Sequence, residues 1–412
     1  MVLRHQGNLM QRPSRNDLAV HWGLNPDCVF LNHGSFGATP SKITQEQRGW
    51  QDLLEFEPVY FYMVEAIEPM VKARNALSKM LSCDPDDLAL IENATTGVNT
   101  VLRSLTFNKG DEILVPDHAY QACRNSLDYV AKRWGAKVVT VAIPFPIAGP
   151  HIVMDAMMAA VTPATVLAMI DTVTSPTGLR MPFEQLTNAL ERKGVRVLLD
   201  AAHGIGMVPL SLDELGASYT TSNNHKWLCA PKGSAFLHVR KDRQHDIHPL
   251  TISHGMTFPL GGMTRFRHEF DWTGTRDLSA HCTIPATIDF MAGLLEGGWP
   301  AIMQHNHDLA IQGRNILCDA LNIEPPCPDE MIACISTLLL PPNEHTNSVS
   351  SHEFDPLQTI LREKYGIQVP VWTWESPKGR YVRISAQLYN NEEEYHYLAF
   401  ALKQELAFER NV

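Results

Sequence analysis

Two residues near the middle of the chain have the types and spacing that suit a carbonyl cofactor. Lys226 follows a short β-like run and lies between His225 and Trp227. Asp200 lies upstream, at the end of the apolar run Val195–Leu199. A lysine that is held rigidly and partly dehydrated can form an imine, and a carboxylate can keep a pyridine nitrogen protonated. Together they predict pyridoxal 5′-phosphate (PLP) and an enzyme of amino-acid chemistry.

A second group of residues suits the remaining parts of such a cofactor. His203 lies just beyond Asp200 and could contact the ring or its phenolic oxygen, or it could be an ordinary loop histidine. Thr95 and Thr96 lie between a predicted strand and a predicted helix. Hydroxyls and backbone amides at a helix N-terminus bind anions, so this segment predicts a phosphate site, although a threonine N-cap explains it equally.

Four further residues, three of which follow predicted strands, could contact cofactor or substrate. His118 and Tyr120 follow one strand, and either could stack on a flat ring. Ser175 follows another strand and could reach the ring oxygen. Arg383 interrupts an apolar strand. A buried arginine needs a partner, which could be a substrate carboxylate or a structural ion pair.

The elements that must position these residues alternate between short β-branched runs and amphipathic stretches, which is typical of a mostly parallel sheet covered by helices. Strands are predicted at 88–91, 112–115, 137–143, 166–170, 196–199, 218–221 and 235–239. The glycine- and aromatic-rich segment 255–274 is predicted to be a long functional loop. Three parts are expected: an N-terminal segment (1–40), a large α/β domain (41–285) and a smaller α+β domain (286–412).

Composition excludes several other classes of protein. The 412 residues carry a net charge of −11 without a basic cluster, which argues against a nucleic-acid partner. The first twenty residues have no apolar stretch typical of a secretory signal, and no apolar run reaches the length of a membrane span. The eight cysteines are scattered singly, so neither a metal site nor a disulfide framework is indicated. A cytoplasmic enzyme is expected.

Five motifs carry a family resemblance that runs over nearly the whole chain. They are Leu31–Gly37, Asn93–Asn99, His225–Leu228, Gly274–Asp277 and Arg383–Ala386. With them the chain resembles the class V aminotransferase family of fold type I PLP enzymes, and most of all its isopenicillin N epimerase branch. That branch also resembles C–S lyases. The Arg-x-Gly-x-x-Cys loop of cysteine desulfurases is absent, which argues against a persulfide-forming desulfurase.

The resemblance implies a role for each site residue and a homodimer with a shared active site. Lys226 would form the imine, Asp200 would pair with the pyridine nitrogen, and His203 would lie near the ring oxygen. Arg383 would hold the substrate carboxylate. The remaining implied contacts are Thr95, Thr96 and His225 for the phosphate, Gly274 and Thr275 for a phosphate site across the dimer interface, and Asn32, His33 and Gly34 for the substrate. Asn223 stands where the wider family often has serine.

The expected reaction begins with loss of the Cα proton from an amino-acid substrate. An epimerase or racemase is the first expectation. It needs a second acid–base group, for which Tyr120, His118 and His33 are candidates. A β-eliminating C–S lyase of the cysteine desulfhydrase or sulfoxide lyase type is the alternative, followed by an aminotransferase. A PLP-fold protein that has lost catalysis is a fourth possibility, against which the joint presence of Lys226 and Asp200 argues.

Overall fold

The structure is a computed structural model that describes residues 10–343, 355–375 and 378–409. The strands in these ranges are β1 Val29–Phe30, β2 Leu88–Ile91, β3 Glu112–Pro116, β4 Lys137–Val141, β5 Thr165–Asp171, β6 Arg196–Asp200, β7 Tyr219–Asn223, β8 Ala235–Val239, β9 Ile335–Leu340, β10 Ile367–Gln368, β11 Val371–Glu375 and β12 Lys378–Ser385.

The helices alternate with these strands through the first half of the chain and dominate after β8. They are α1 His33–Phe36, α2 Ser41–Phe56, α3 Pro58–Tyr60, α4 Ile67–Leu81, α5 Ala94–Ser104, α6 Gln121–Trp134, α7 Pro150–Ala159, α8 Phe183–Arg192, α9 Leu212–Leu215, α10 Arg265–Asp271, α11 Ser279–Cys282, α12 Ile284–Ala292, α13 Gly298–Leu321, α14 Pro356–Lys364 and α15 Glu392–Glu409. A π-helical turn, Phe61–Glu65, separates α3 from α4.

A seven-stranded sheet in the order β2-β8-β7-β6-β5-β3-β4 forms the larger part of the fold. β8 runs antiparallel to both of its neighbours, and the other adjacent strands are parallel. Every residue of β2, β7 and β8 is buried, as expected for a sheet covered on both faces. On β5, Leu167 and Met169 pack into one core while Ala168 and Ile170 pack into the other. The expected α/β architecture is confirmed.

The register of the parallel strands brings chemically active residues to one edge. Asp171 at the end of β5 is aligned with Asp200 at the end of β6, and Asp200 is in turn aligned with Thr221 on β7. Because parallel strands end at the same edge, the loops that follow them surround a common cleft. The lysine-bearing loop after β7 begins beside these aligned ends.

A smaller antiparallel sheet, in the order β11-β12-β9, follows in the C-terminal part. The N-terminal segment reaches this part, because β1 pairs with β10 and the Ser385 amide donates to the Leu31 carbonyl at 2.9 Å. A smaller C-terminal domain with antiparallel strands was expected and is confirmed. The boundaries at residues 40 and 285 stay predictions.

The prediction of a long loop over residues 255–274 is wrong for part of that segment. It contains α10, whose N-terminus is capped by the Thr264 hydroxyl, which accepts the Arg267 amide at 3.1 Å. Phe266 and Phe270, one helical turn apart, are both buried and their ring centroids are 4.6 Å apart. This packing outweighs the local glycine content that favoured a loop.

None of the helices in the described ranges is long and apolar enough to cross a bilayer.

Candidate active site

The Lys226 amine lies in the loop that follows β7, and the residue is half-buried. Its Nζ is 3.2 Å from Nε2 of His203. Burial and the positive charge of Arg383 together lower the pKa of Lys226 to about 8, against the opposing negative charge of Asp200. A substantial fraction of the amine is therefore neutral, and so nucleophilic, near neutral pH.

The backbone around Lys226 is held on both sides by glycines with positive φ. At Gly37 (φ +67°) an added Cβ would lie 1.8 Å from the carbonyl oxygen of His225. At Gly206 (φ +78°) it would lie 2.5 Å from the carbonyl oxygen of Trp227. Only a residue without a Cβ allows such close approach in this backbone conformation. The lysine loop is therefore fixed by contact with backbone rather than with flexible side chains.

The side chain of His33 holds the same loop from the N-terminal segment. Its Nε2 donates to the Lys226 carbonyl at 2.9 Å, and its Nδ1 accepts from the Tyr389 hydroxyl at 2.8 Å. Burial lowers the pKa of His33 to about 3, so the ring stays neutral. His33, expected near the substrate, thus has both ring nitrogens engaged within the protein and joins Tyr389 to the lysine backbone.

Asp200 lies at the end of β6 with two donors already on its carboxylate. The Ala202 amide donates to Oδ1 at 2.9 Å, and the Cys123 thiol donates to Oδ2 at 3.3 Å. Asp171 lies beside it, fully enclosed, and its Oδ2 has no hydrogen-bond partner among the described residues. Burial raises the pKa of both carboxyls. Because Asp200 is the one supplied with donors, the negative charge belongs on Asp200 and the proton on Asp171.

The N-terminus of α5 forms the other end of the cleft. Asn93 caps it by accepting the Thr96 amide at 2.8 Å, and Asn223 accepts the Ala94 amide at 2.8 Å. The Asn223 contact joins this helix end to the lysine loop. Thr95 and Thr96 are half-buried there, and Nδ1 of the neighbouring His225 is buried without a partner among the described residues. Amides, hydroxyls and an unpaired imidazole nitrogen at a helix N-terminus suit a phosphate.

Arg383 faces the cleft from β12 as a buried cation without a counter-charge. No Asp or Glu among the described residues forms an ion pair with it; its Nη1 donates to the Ser175 carbonyl and its Nη2 to the Ser35 hydroxyl at 3.0 Å. Its Nε is buried and unpaired there too. Asn32 fixes Ser35 by accepting its hydroxyl at 2.6 Å, and Gly34 donates its amide to Ser385. The N-terminal motif therefore orients Arg383.

The two candidates for stacking on the cofactor lie in different surroundings. His118 is fully buried; Nε2 donates to the Ile143 carbonyl at 2.9 Å and Nδ1 accepts from the Thr177 hydroxyl at 2.7 Å. Tyr120 is 47% exposed. Burial lowers the pKa of Arg383 to about 10, and the nearby phenol of Tyr120 opposes that shift.

Gly274 and Thr275 lie in the turn after α10, and Thr275 is exposed. The next residue, Arg276, donates to the carbonyl of Leu90 at 3.0 Å and to Glu92 at 3.2 Å. This places the turn beside the strand that leads into α5, on the outer surface of the molecule.

Several residues that complete the site were not predicted from the sequence. Cys123 and Asp171 contact or adjoin Asp200, Ser35 orients Arg383, and Tyr389 holds His33. Asp171 could have been found, because it ends a predicted strand next to the one that ends in Asp200. The other contacts join residues far apart in the chain, so local sequence gave no signal for them.

The residues of the site suit the separate parts of PLP. The site offers an amine of lowered pKa on Lys226, a carboxylate supplied with donors on Asp200, the N-terminus of α5 with an unpaired nitrogen of His225 beside it, and a guanidinium on Arg383 without an ion pair among the described residues. The fold and the site thus define a PLP-dependent enzyme of fold type I. The chain belongs to the aminotransferase class V family, whose family model matches residues 58–398.

Two kinds of curated relative and one group of solved structures support this assignment. The chain is 33% identical to a probable chloroplastic L-cysteine desulfhydrase of Arabidopsis thaliana, over 92% of this chain and 83% of the relative. It is 32% identical to the isopenicillin N epimerase of Streptomyces clavuligerus, over 92% and 95%. The fold matches that of a C-DES variant with glycine covalently linked to its PLP cofactor, with a TM-score of 0.74 at 19% identity over 91% and 96% of the two chains.

We expect the rate at which PLP recombines with the apoenzyme to follow the neutral fraction of Lys226. With a pKa of about 8, that fraction rises about tenfold between pH 7 and pH 9 and then levels off. Stopped-flow measurement of the visible band of the lysine-bound cofactor gives the rate, and Lys226→Ala should form no such band. A rate that climbs without levelling to pH 10 would show an ordinary lysine pKa.

We also expect Gly37→Ala to disturb the lysine loop more than alanine does at a left-handed glycine with open space around it. Gly216 (φ +68°, ψ +16°) has a left-handed helical backbone, and an added Cβ there meets nothing within 4 Å, whereas Gly37 (φ +67°, ψ +170°) lies in a region that is essentially restricted to glycine and closes on the His225 carbonyl. Gly216→Ala should cost about 1–2 kcal/mol of unfolding free energy, while Gly37→Ala should cost more and weaken PLP binding. Urea denaturation and PLP titration of both variants provide the comparison; equal losses in the two would contradict the clamp.

Proposed function

We propose that the protein is a C–S lyase that acts on cysteine or an S-substituted cysteine, releasing a thiol or sulfide, ammonia and pyruvate. The observation that carries the proposal is the joint presence of a basic amine, Lys226, and a buried guanidinium without a counter-ion among the described residues, Arg383. An exposed phenol, Tyr120, lies close enough to Arg383 to influence its pKa and would serve as the acid. β-Elimination needs no more acid–base groups than these.

The buried guanidinium of Arg383 supports an amino-acid substrate. A charge enclosed without a counter-ion is costly, and a carboxylate that accepts two parallel N–H bonds neutralises it with good geometry. The Trp372 ring lies 5.9 Å from the guanidinium, and Ser175 and Ser35 hold two of its nitrogens. The fork is therefore oriented before the substrate enters.

Lys226 would hold PLP until the substrate amine replaces it there, and Asp200 would keep the ring nitrogen protonated, so that the cofactor would supply a sink for the electron pair left on Cα. The Lys226 amine released by this exchange takes the Cα proton. The Cβ–S bond then breaks, and the Tyr120 hydroxyl supplies a proton to the departing sulfur; the proton taken up by Lys226 replaces the one that Tyr120 gives. The unsaturated amino acid that is released reacts with water and gives pyruvate and ammonia, so that atoms and charges balance.

Epimerisation, the first expectation from the sequence, is the second candidate function. It requires an acid–base group besides Lys226, and both nitrogens of His33 and of His118 are engaged in buried hydrogen bonds. Of the three candidates for the second acid–base group, this leaves Tyr120. Epimerisation thus depends wholly on Tyr120, whereas elimination uses it only for the leaving group. The likeness to isopenicillin N epimerase keeps this function in the comparison, and the likeness to L-cysteine desulfhydrases supports the lyase.

We further propose that two copies of the chain form the working enzyme. Apolar side chains that are 42–80% exposed cluster over residues 53–71, here called the apolar patch: Leu53, Phe56, Val59, Met63, Val64, Ile67 and Val71. Exposed apolar surface of this extent is typical of an interface. The Tyr62 hydroxyl, within the patch, donates to the Arg276 carbonyl at 2.8 Å. The patch therefore adjoins the turn with Gly274 and Thr275, which suits a phosphate contact made to a second copy.

We expect L-cysteine or an S-conjugated cysteine to give pyruvate and ammonia in equal amounts, without net racemisation of the remaining substrate. Arg383→Lys keeps the charge but loses the planar fork, so KM should rise about ten- to a hundredfold. Tyr120→Phe should slow elimination while Cα–H exchange into deuterated water continues. Coupled pyruvate assay, chiral chromatography and proton NMR follow the three outcomes together.

The same assay identifies the competing reactions. Loss of chirality without pyruvate, abolished by Tyr120→Phe, would establish the epimerase instead. A keto acid formed without ammonia, in proportion to an added acceptor keto acid, would establish an aminotransferase.

We expect the purified protein to sediment as two chains of 46.1 kDa and the double variant Val59→Glu with Met63→Glu to sediment as one. Charges buried in an apolar interface are costly. Val20→Glu is the matched control, because Val20 and Val59 are both 79% exposed and Val20 lies outside the apolar patch. Analytical ultracentrifugation decides; a wild-type monomer, or dissociation by Val20→Glu alone, would contradict the interface.

A further inference from the structure

The indole of Trp227 makes a hydrogen bond that fixes the protonation pattern of a neighbouring histidine. Its Nε1 is 3.1 Å from Nδ1 of His203, and both side chains are buried. An indole N–H is a donor only, so Nδ1 of His203 must accept. A neutral imidazole that accepts at Nδ1 carries its hydrogen on Nε2.

The hydrogen on Nε2 of His203 is directed at the amine of Lys226, 3.2 Å away. An ammonium group has only donors, so it would meet this N–H donor to donor. A neutral amine has a lone pair and can accept. The contact is therefore satisfied only when Lys226 is unprotonated.

The groups that face this pair act differently on its two members. Arg383 on β12 disfavours a positive charge on Lys226, whereas Asp200 on β6 and Cys123 on α6 favour one. Burial, Lys226 and Arg383 all hold the pKa of His203 well below its ordinary value. His33 and His225 also face His203 and disfavour a positive charge on it. A second proton on His203, which would break the pattern, is thus excluded near neutral pH.

The indole itself is held in place by the same surroundings as the lysine loop. Trp227 is 1% exposed, its ring centroid lies 4.9 Å from that of His33, and Gly206 closes on its carbonyl oxygen. Lys226 and Trp227 are consecutive, yet both reach His203. The loop thus carries the reactive amine and the group that orients the partner of that amine.

We propose that Trp227 is a positioning residue: its indole N–H fixes His203 as the Nε2–H tautomer, which favours the neutral form of the nitrogen of Lys226. The proposal rests on the proposed role of Lys226 as the anchor of PLP. It adds that the His203 N–H that faces this nitrogen is oriented by Trp227, the residue next to the lysine.

The test uses the cofactor-loaded enzyme and the variant Trp227→Phe, which keeps an aromatic ring but has no N–H donor. The visible band of the lysine-bound cofactor is titrated against pH. Because a donor beside the lysine nitrogen disfavours its protonated form, the midpoint should rise in Trp227→Phe by about half to one pH unit, the size of one hydrogen bond. Trp299→Phe is the matched control: its indole donates to the Ile288 carbonyl at 3.2 Å, and its midpoint should stay unchanged.

A second measurement keeps the proposal testable if Trp227→Phe does not fold. Nitrogen-15 NMR of the wild-type enzyme, with the His203 signal assigned by its loss in His203→Gln, should show the Nε2–H tautomer. The Nδ1–H tautomer, or an unchanged midpoint in folded Trp227→Phe, would overturn the proposal. Retention of the visible band in Lys226→Ala would instead refute the anchoring role of Lys226, which separates the two failures.

Discussion

The constraint on which the site depends is the burial of one amine. A lysine in water is charged and inert as a nucleophile near neutral pH, so Lys226 must lose part of its hydration, at a cost in folding free energy. Rigid backbone contacts hold the lysine loop in place despite this cost. Two positive-φ glycines close on the loop, and His33 holds the lysine carbonyl. These contacts keep the amine beside His203, where its ammonium form is destabilised.

The parallel sheet provides the opposing charges at fixed positions. Since β5 and β6 are in register, Asp171 and Asp200 end side by side. Ionising both of two neighbouring buried carboxyls costs more free energy than ionising one, because their negative charges repel. The Ala202 amide and the Cys123 thiol favour charge on Asp200, which leaves Asp171 as its neutral neighbour. Register thus places two identical carboxyl groups side by side, and the donors around Asp200 give the two groups different roles.

Much of the fold could be predicted from the sequence because burial on both faces leaves short, dense apolar runs. The strands that end in Asp200 and Asn223 lie within about two residues of the predicted positions. Lys226 and Asp200 were recognisable because each follows such a run. What could not be predicted is where a side chain at a strand end points. His118 and Tyr120 are two residues apart, and one lies in the core while the other is 47% exposed.

The contact between His33 and Tyr389 has a consequence for the order in which the protein becomes complete during synthesis. The sheet that carries Lys226 is finished when the ribosome has passed Val239. One wall of the lysine loop comes from the start of the chain, and that wall is fixed by Ser385 and Tyr389, close to its end. A nascent chain thus contains the reactive lysine long before the wall that encloses it is secured. Firm enclosure of the lysine loop therefore has to wait until the segment through Tyr389 has been synthesised and has packed against His33.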